Sequence, residues 1–153
     1  MILVHSACAG DAGLTQVLVP VERRQLAKRR WRATAADGEE FGFELESPLR
    51  HGDAIHRGVS SVYVLEQRAE PLLAVSLGSG PEAAALAGWS VGNLHFPVEI
   101  QPGELLVPDE PAVRLVLQRM GFAFEPRLRI FSPRRVAPGL FAHGHPIAST
   151  GAA

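Results

Sequence analysis

Six histidines are the side chains in this sequence with the greatest capacity for chemistry. Neutral imidazole ligates nickel, zinc and copper, so their spacing is the first thing to weigh. His5, His51 and His56 stand near the terminus or beside turns and read as ordinary surface or turn residues. His95 is different, because it follows Gly92-Asn93-Leu94 at an expected helix-to-strand joint, where a side chain can project from a rigid frame. Taken alone, a histidine beside Phe96-Pro97 also suits a packed or edge position. His143-Gly144-His145 adds two imidazoles that can reach one ion, since the glycine between them removes the steric penalty of a bend. One anchored histidine and two in a tail are too few for a closed site in one chain. A two-fold dimer with His95 near the axis brings it to its symmetry mate, and the tail histidines complete the shell. Such a site is open and exchangeable, as a carrier requires.

The second conspicuous feature is basic: Arg23, Arg24, Lys28, Arg29, Arg30 and Arg32, with Trp31 among them. This pattern can grip phosphates and stack a base, can contact a protein partner, or can form a solvated loop and a protected edge strand. A small RNA- or protein-binding adaptor built on it is the alternative to a metal carrier. Nucleic acid is disfavoured by the net charge of −1. Catalysis finds little support. The sequence has no Gly-x-Ser-x-Gly elbow, phosphate loop or His-Glu-x-x-His helix. A metal-dependent hydrolase around His95 is a weaker third possibility, and no enzyme is expected.

The elements that must position these residues divide into two textures. Residues 14–21 and 30–34 read as strands, and Phe41, Phe43 and Leu45 alternate with Gly42 and Glu44 as in a half-buried strand. Asp37-Gly38 between two such runs predicts a hairpin. Residues 59–67 are a further β-branched-rich strand, and no helical face is expected before residue 70. Beyond it, residues 71–77 form a short apolar run suited to a buried strand. Ser79 and Glu82 predict a capped helix over 81–91, ending at Gly92-Asn93 in a left-handed conformation. Residues 95–100 alternate like a strand, and 104–107 form another. Asp109 is placed to cap a second helix with Pro111 in its first turn. Val113, Val116, Leu117 and Met120 give that helix one apolar face, and Gly121 stops it. Residues 122–131 close the series.

The predicted fold is therefore α+β. It has an all-β domain over 1–69, a ferredoxin-like βαββαβ domain over 70–138, and a short flexible histidine-containing tail over 139–153.

Length and composition agree with this division. The chain has 153 residues, 46% hydrophobic and 20% charged, ordinary values for a folded domain or two small ones. Each half is near the lower size limit for an adequate core, so packing between them or dimerisation would help. The single cysteine, Cys8, excludes an intrachain disulfide and a thiolate cage within one chain, which fits a cytoplasmic location. The opening residues lack a basic start and their apolar run is broken by His5, so no signal peptide or membrane association is expected.

Residues 89–100, containing Gly92-Asn93-Leu94-His95-Phe96-Pro97, resemble the signature of UreE-type urease accessory proteins. That signature has a Gly-Asn-Arg-His core followed by an apolar residue and often proline. Residues 30–46, with Asp37-Gly38 and Phe43-Glu44-Leu45, are similar to the family's N-terminal hairpin. Leu49-Arg50-His51-Gly52-Asp53 resembles its Leu-x-x-Gly-Asp turn. The helix near 109–120 with Gly121 resembles its second C-domain helix, and Ser132-Pro133 with Pro138-Gly139-Leu140-Phe141 its proline-rich exit. The resemblance covers most of the chain. It implies a partner-binding N-terminal domain and a homodimer holding nickel through His95, with tail histidines matching His143 and His145. It also implies transfer of nickel to a urease GTPase accessory protein and on to the apo-urease complex. Leu94 departs from the pattern where arginine is usual, which bears on the partner surface more than on the metal. Two tail histidines suit carriage of few ions per dimer. Imidazoles do not select nickel over zinc or copper, so nickel rests on the resemblance. The expected binding weakens below about pH 6.5, because imidazole ligands must be unprotonated.

Overall fold

The computed structural model describes residues 1–78 and 80–133. In the first half, β2 (Thr15–Val21) runs parallel to β6 (Ser61–Gln67), and β6 pairs antiparallel with β5 (Ala54–Arg57). A second sheet places β4 (Glu40–Glu44) between β1 (Ile2–Val4), parallel to it, and β3 (Arg30–Thr34), antiparallel. Together they enclose a core that includes Val19, Val21, Phe41, Phe43, Tyr63 and Leu65.

The Asp37-Gly38 hairpin forms as predicted. Gly38 takes φ 92°, a left-handed value that glycine adopts without Cβ strain. The Asp37 carboxylate accepts the Glu39 amide at 3.1 Å and the Tyr63 hydroxyl at 2.9 Å, tying the hairpin to the other sheet. Gly42 is buried along with Phe41 and Phe43, because the Met1 side chain lies over it. One short helix was not expected: α1 (Arg23–Leu26) is a single turn closed by a reciprocal Glu22–Gln25 capping box. Four residues are too few to show a helical period in sequence.

The second half is built on β7 (Glu70–Ser76), which pairs antiparallel with β10 (Phe124–Arg129) on one side and β9 (Glu104–Pro108) on the other. The short strand β8 (Glu99–Gln101) adds to β9, giving the order β10-β7-β9-β8. Helices α2 (Pro81–Gly92) and α3 (Pro111–Arg119) cover one face. There Val91, Val113 and Leu117 meet Leu73, Val75, Leu105 and Val107. Leu72, Ala74 and Leu106 point to the opposite face, where Phe131 covers them. Burial on both faces is why 72–75 is a continuous apolar run and not an alternating one.

Several local expectations change. The N-cap of α2 is Gly80, with Pro81 as the first helical residue and no side-chain capping bond. The expected cap Ser79 lies outside the described residues. Helix α3 is capped at Glu110, not Asp109, and it buries Val113 and Leu117 while Met120 stays exposed. Val59 is fully exposed ahead of β6 rather than part of it.

Asp109 has another task. Arg114 grips its carboxylate with Nε at 2.5 Å and Nη2 at 2.6 Å. The Arg114 hydrogen bonds hold the Asp109 carboxyl below its ordinary pKa, against a smaller opposing effect of burial. A depressed carboxyl pKa adds stability above the unfolded value and loses it as pH falls through the folded one. Asp109→Asn should therefore lower the urea midpoint at neutral pH, with the difference from wild type shrinking as pH falls below the ordinary carboxyl range and through the lowered folded-state value. A difference independent of pH would show that the ion pair contributes nothing.

The two halves meet around Phe131, which has no exposed surface. Its carbonyl accepts Gln67 Nε2 at 2.8 Å, and Gln67 is itself buried at the end of β6. The Arg23 guanidinium lies 5.1 Å from the Phe131 ring centre and bonds Glu70 with Nε at 2.7 Å and Nη2 at 3.1 Å.

Candidate metal centre

Helix α2 ends by tightening. The Asn93 amide still bonds back four residues to Trp89, but those of Leu94 and His95 bond back three, to Val91 and Gly92, each at 3.0 Å. His95 then takes φ 58°. Among the described residues it is the one non-glycine with positive φ. The left-handed position thus falls on His95, whereas Asn93, one of the two residues expected to take it, has φ −64°. For an L-residue this conformation costs about 1–2 kcal/mol, and such outliers concentrate where function requires them.

The strand expected over 95–100 begins only at Glu99. Pro97 has no N–H for a ladder, and β8 meets β9 only from Glu99 opposite Leu106 to Gln101 opposite Glu104. His95 is therefore a turn residue. Its neighbours Leu94 and Phe96 are partly buried and pack against the core beneath the helices. The His95 side chain is exposed between these two apolar anchors. Leu94, where the family pattern has arginine, is thus packing rather than presented surface.

The other described histidines are engaged within the first half. His5 Nδ1 lies 3.0 Å from the Glu44 carbonyl. His51 Nδ1 accepts the Gln67 amide at 3.1 Å, which places the proton of the neutral ring on Nε2 and leaves no lone pair there for a metal. His56 packs beside Phe41 and Tyr63. Among the described residues no side-chain hydrogen bond holds the His95 imidazole, and no three His, Cys, Asp or Glu side chains gather into a metal cage. His143 and His145 lie outside the described residues.

Within the basic stretch two arginines carry ion pairs. Arg23 is committed to Glu70 and Phe131, and Arg30 pairs with Glu44 at 2.5 Å. Trp31 stacks on Phe43 with centroids 3.7 Å apart, so one ring face is already occupied. Arg24, Lys28, Arg29, Arg30 and Arg32 are exposed. A cleft of about 520 Å³ brings Arg23 and Arg24 opposite Phe96 and Pro97, so the basic turn adjoins the His95 loop. Sequence reasoning missed Gln67, Glu70, Glu99 and Phe131, whose roles depend on partners distant in the chain and carry no local motif.

Exposed Leu86 and Trp89 on α2, and Ile100 on β8, belong to the elements on either side of the His95 turn. Large apolar side chains left in water this way suit coverage by a partner.

Residues 70–151 match the family model described as UreE urease accessory protein, C-terminal domain. The chain is 31% identical over 147 residues to the urease accessory protein UreE of Azorhizobium caulinodans, covering 94% of this chain and 69% of that protein. It is 34% identical over 113 residues to the protein of that name from Rhodobacter capsulatus, covering 72% and 69%. Against that from Escherichia coli O157:H7 it is 28% identical over 131 residues, covering 84% of each.

Proposed function

The chain belongs to the UreE family of urease accessory proteins, and on that premise we propose that it carries nickel to urease during its maturation. The observation that carries the proposal is the exposed His95 imidazole on a strained left-handed turn, anchored by Leu94 and Phe96. A single imidazole does not hold an ion securely, so His95 of two subunits would share it across a two-fold axis. Exposed Leu86, Trp89 and Ile100 supply apolar surface for that homodimer. His143 or His145 would complete the shell.

The metal-binding domain in this reading is ferredoxin-like and spans 70–138. The strand order β10-β7-β9-β8, with both helices on one face, supports it. The β-rich domain over 1–69 would bind a partner, with Arg24, Lys28, Arg29, Arg30 and Arg32 as the exposed cations available for contact. The urease GTPase accessory protein and the apo-urease complex are the proposed recipients, in the cytoplasm. Among the described residues no helix is long and apolar enough to cross a membrane. Zinc and copper would also bind imidazole ligands, so supply and partners select nickel. No catalytic role is proposed.

Nickel equilibrium dialysis combined with sedimentation tests the shared site. We expect one tightly held ion per two chains, and a chain lacking 134–153 that binds about tenfold more weakly but still binds, as loss of one tethered ligand implies. Saturation at one ion per monomer, or complete loss of binding on truncation, would refute the symmetric His95 site.

A further inference from the structure

Apart from the metal-binding turn, we propose that a cleft between the two halves binds an acidic segment of a partner protein, with Arg50 as its charged anchor. The cleft has a volume of about 670 Å³, and Arg23, Arg50 and His51 are the titratable side chains that line it. No carboxylate lines it among the described residues. Two that adjoin these groups are already engaged, Glu70 with the Arg23 guanidinium and Asp53 with the Arg50 amide at 2.7 Å. Glu70 takes two of the five Arg23 N–H groups and leaves three. The Arg50 side chain is exposed and forms no ion pair among the described residues. His51 accepts the Gln67 amide on Nδ1, so its Nε2 is a donor whether the ring is neutral or protonated. Three donor side chains thus meet in one cleft.

The walls of the cleft are fixed in advance. On one side stands the turn 48–51, anchored by buried Leu49. Just after it the Gly52 amide bonds the Leu65 carbonyl at 2.8 Å, and the Leu65 amide bonds the Asp53 carbonyl at 2.9 Å. On the other side is the strap 131–133, whose Ser132 amide donates to Glu99 Oε2 at 2.6 Å. Gln67 braces the two, with its amide on His51 and its side chain on the Phe131 carbonyl. A frame already held this way spares an incoming chain the cost of ordering it. Between the donors, Ala27 and Pro48 present exposed apolar surface. A guanidinium pairs with a carboxylate through charge-assisted hydrogen bonds, so the lining suits carboxylates carried on a partly apolar peptide. Ala27 leads directly into exposed Lys28 and Arg29, and the positive surface therefore continues beyond the cleft. That continuity favours an extended acidic segment over a small organic acid. The chain's own continuation has the wrong charge, since residues 134–153 open with Arg134-Arg135 and contain neither Asp nor Glu. The net charge of −1 disfavours nucleic acid here as elsewhere.

This inference rests on the reading that residues 1–69 bind a partner, and it needs no metal. Two-dimensional NMR of the metal-free, full-length protein tests it with a synthetic peptide of alternating glutamate and leucine. We expect saturable shifts at the amides of Arg50, His51, Gln67 and Ser132. Arg50→Ala should weaken binding about tenfold, as loss of a hydrogen bond to a charged group implies. Arg50→Lys should recover part of that, since it keeps the charge but not the planar fork. Arg119→Ala removes the same charge from the helix-covered face, remote from the cleft, and should leave the affinity unchanged. An equal loss in Arg119→Ala would mean diffuse charge attraction, and equal binding of a glutamine–leucine peptide would mean that the cations do nothing. Absence of saturable shifts at millimolar peptide, or tighter binding of a single-stranded oligonucleotide at the same amides, would also overturn the proposal. So would two other occupants: binding restored only when the chain ends at Pro133 would give the cleft to residues 134–153. Shifts of these amides with protein concentration alone would give it to a second copy. A urease GTPase accessory protein that fails to compete with the bound peptide would count against that recipient and leave the cleft standing.

Discussion

His95→Gly should abolish tight nickel binding while leaving the fold at least as stable as wild type. The two effects have separate causes. Removing the imidazole deletes the proposed anchor ligand from both subunits, which should exceed the roughly 10- to 100-fold loss caused by removing only an outer partner of a metal ligand. The backbone at φ 58° is one that glycine adopts without Cβ strain, so about 1 kcal/mol is relieved on substitution. Glycine's larger entropy in the unfolded chain offsets part of that. His95→Ala should lose nickel equally but gain no stability, since alanine keeps the Cβ. Urea denaturation of the metal-free proteins, with equilibrium dialysis against nickel, reads both quantities. Wild-type affinity in His95→Ala would end the metal assignment. Clear destabilisation by His95→Gly would show that the imidazole packs for structure.

Phe131→Ala should cost about 3–5 kcal/mol, the range for deleting a fully buried aromatic ring. The ring seals the lower face of the sheet over Leu72, Ala74 and Leu106 and lies under the Arg23 guanidinium. Its loss opens a cavity and loosens the seam between the halves. Gln67 loses a well-placed acceptor if the backbone shifts, and a buried amide left unpaired costs a further 1–3 kcal/mol or so. Phe131→Leu should retain much of the stability by keeping apolar volume. The measurement is the urea midpoint of each variant without metal. A loss below about 1 kcal/mol in Phe131→Ala would mean that the strap does not close the core.

Much of the architecture was legible in local signals. Asp37-Gly38 predicts its hairpin because the turn needs a residue free to take positive φ, and Gly38 does so. Helix α3 was readable from Pro111 and the spacing of Val113 and Leu117, and its end from Gly121. Strand β7 was readable as a compact apolar run. The single turn of α1 was not, for it is shorter than a helical period. Nor was the cap of α3, because Asp109 has the chemistry of a cap but Arg114 takes its carboxylate instead.

The candidate site divides along the same line. His95 stood out in sequence by its place after Gly92-Asn93, but the neighbouring residues were expected to carry the unusual backbone. The structure assigns it to His95 because the helix tightens for one further turn and Leu94 and Phe96 are both drawn into the core. Arg23 looked like part of an exposed basic surface and is instead an internal partner of Glu70 and Phe131. Nothing in a window around Arg23 or Phe131 reveals the pairing, since more than 100 residues separate them.

The sequence by itself determined the α+β class, most element positions, the family signature around His95 and the supply of imidazoles. These follow from short-range physics: side-chain period, turn conformations and helix starts and stops. Tertiary structure decided which face of Leu94 and Phe96 is buried, which residue bears the left-handed strain, and where Arg23, Gln67, Glu99 and Phe131 find their partners. Those outcomes depend on packing and hydrogen bonds between residues far apart in the chain, which local propensity does not encode.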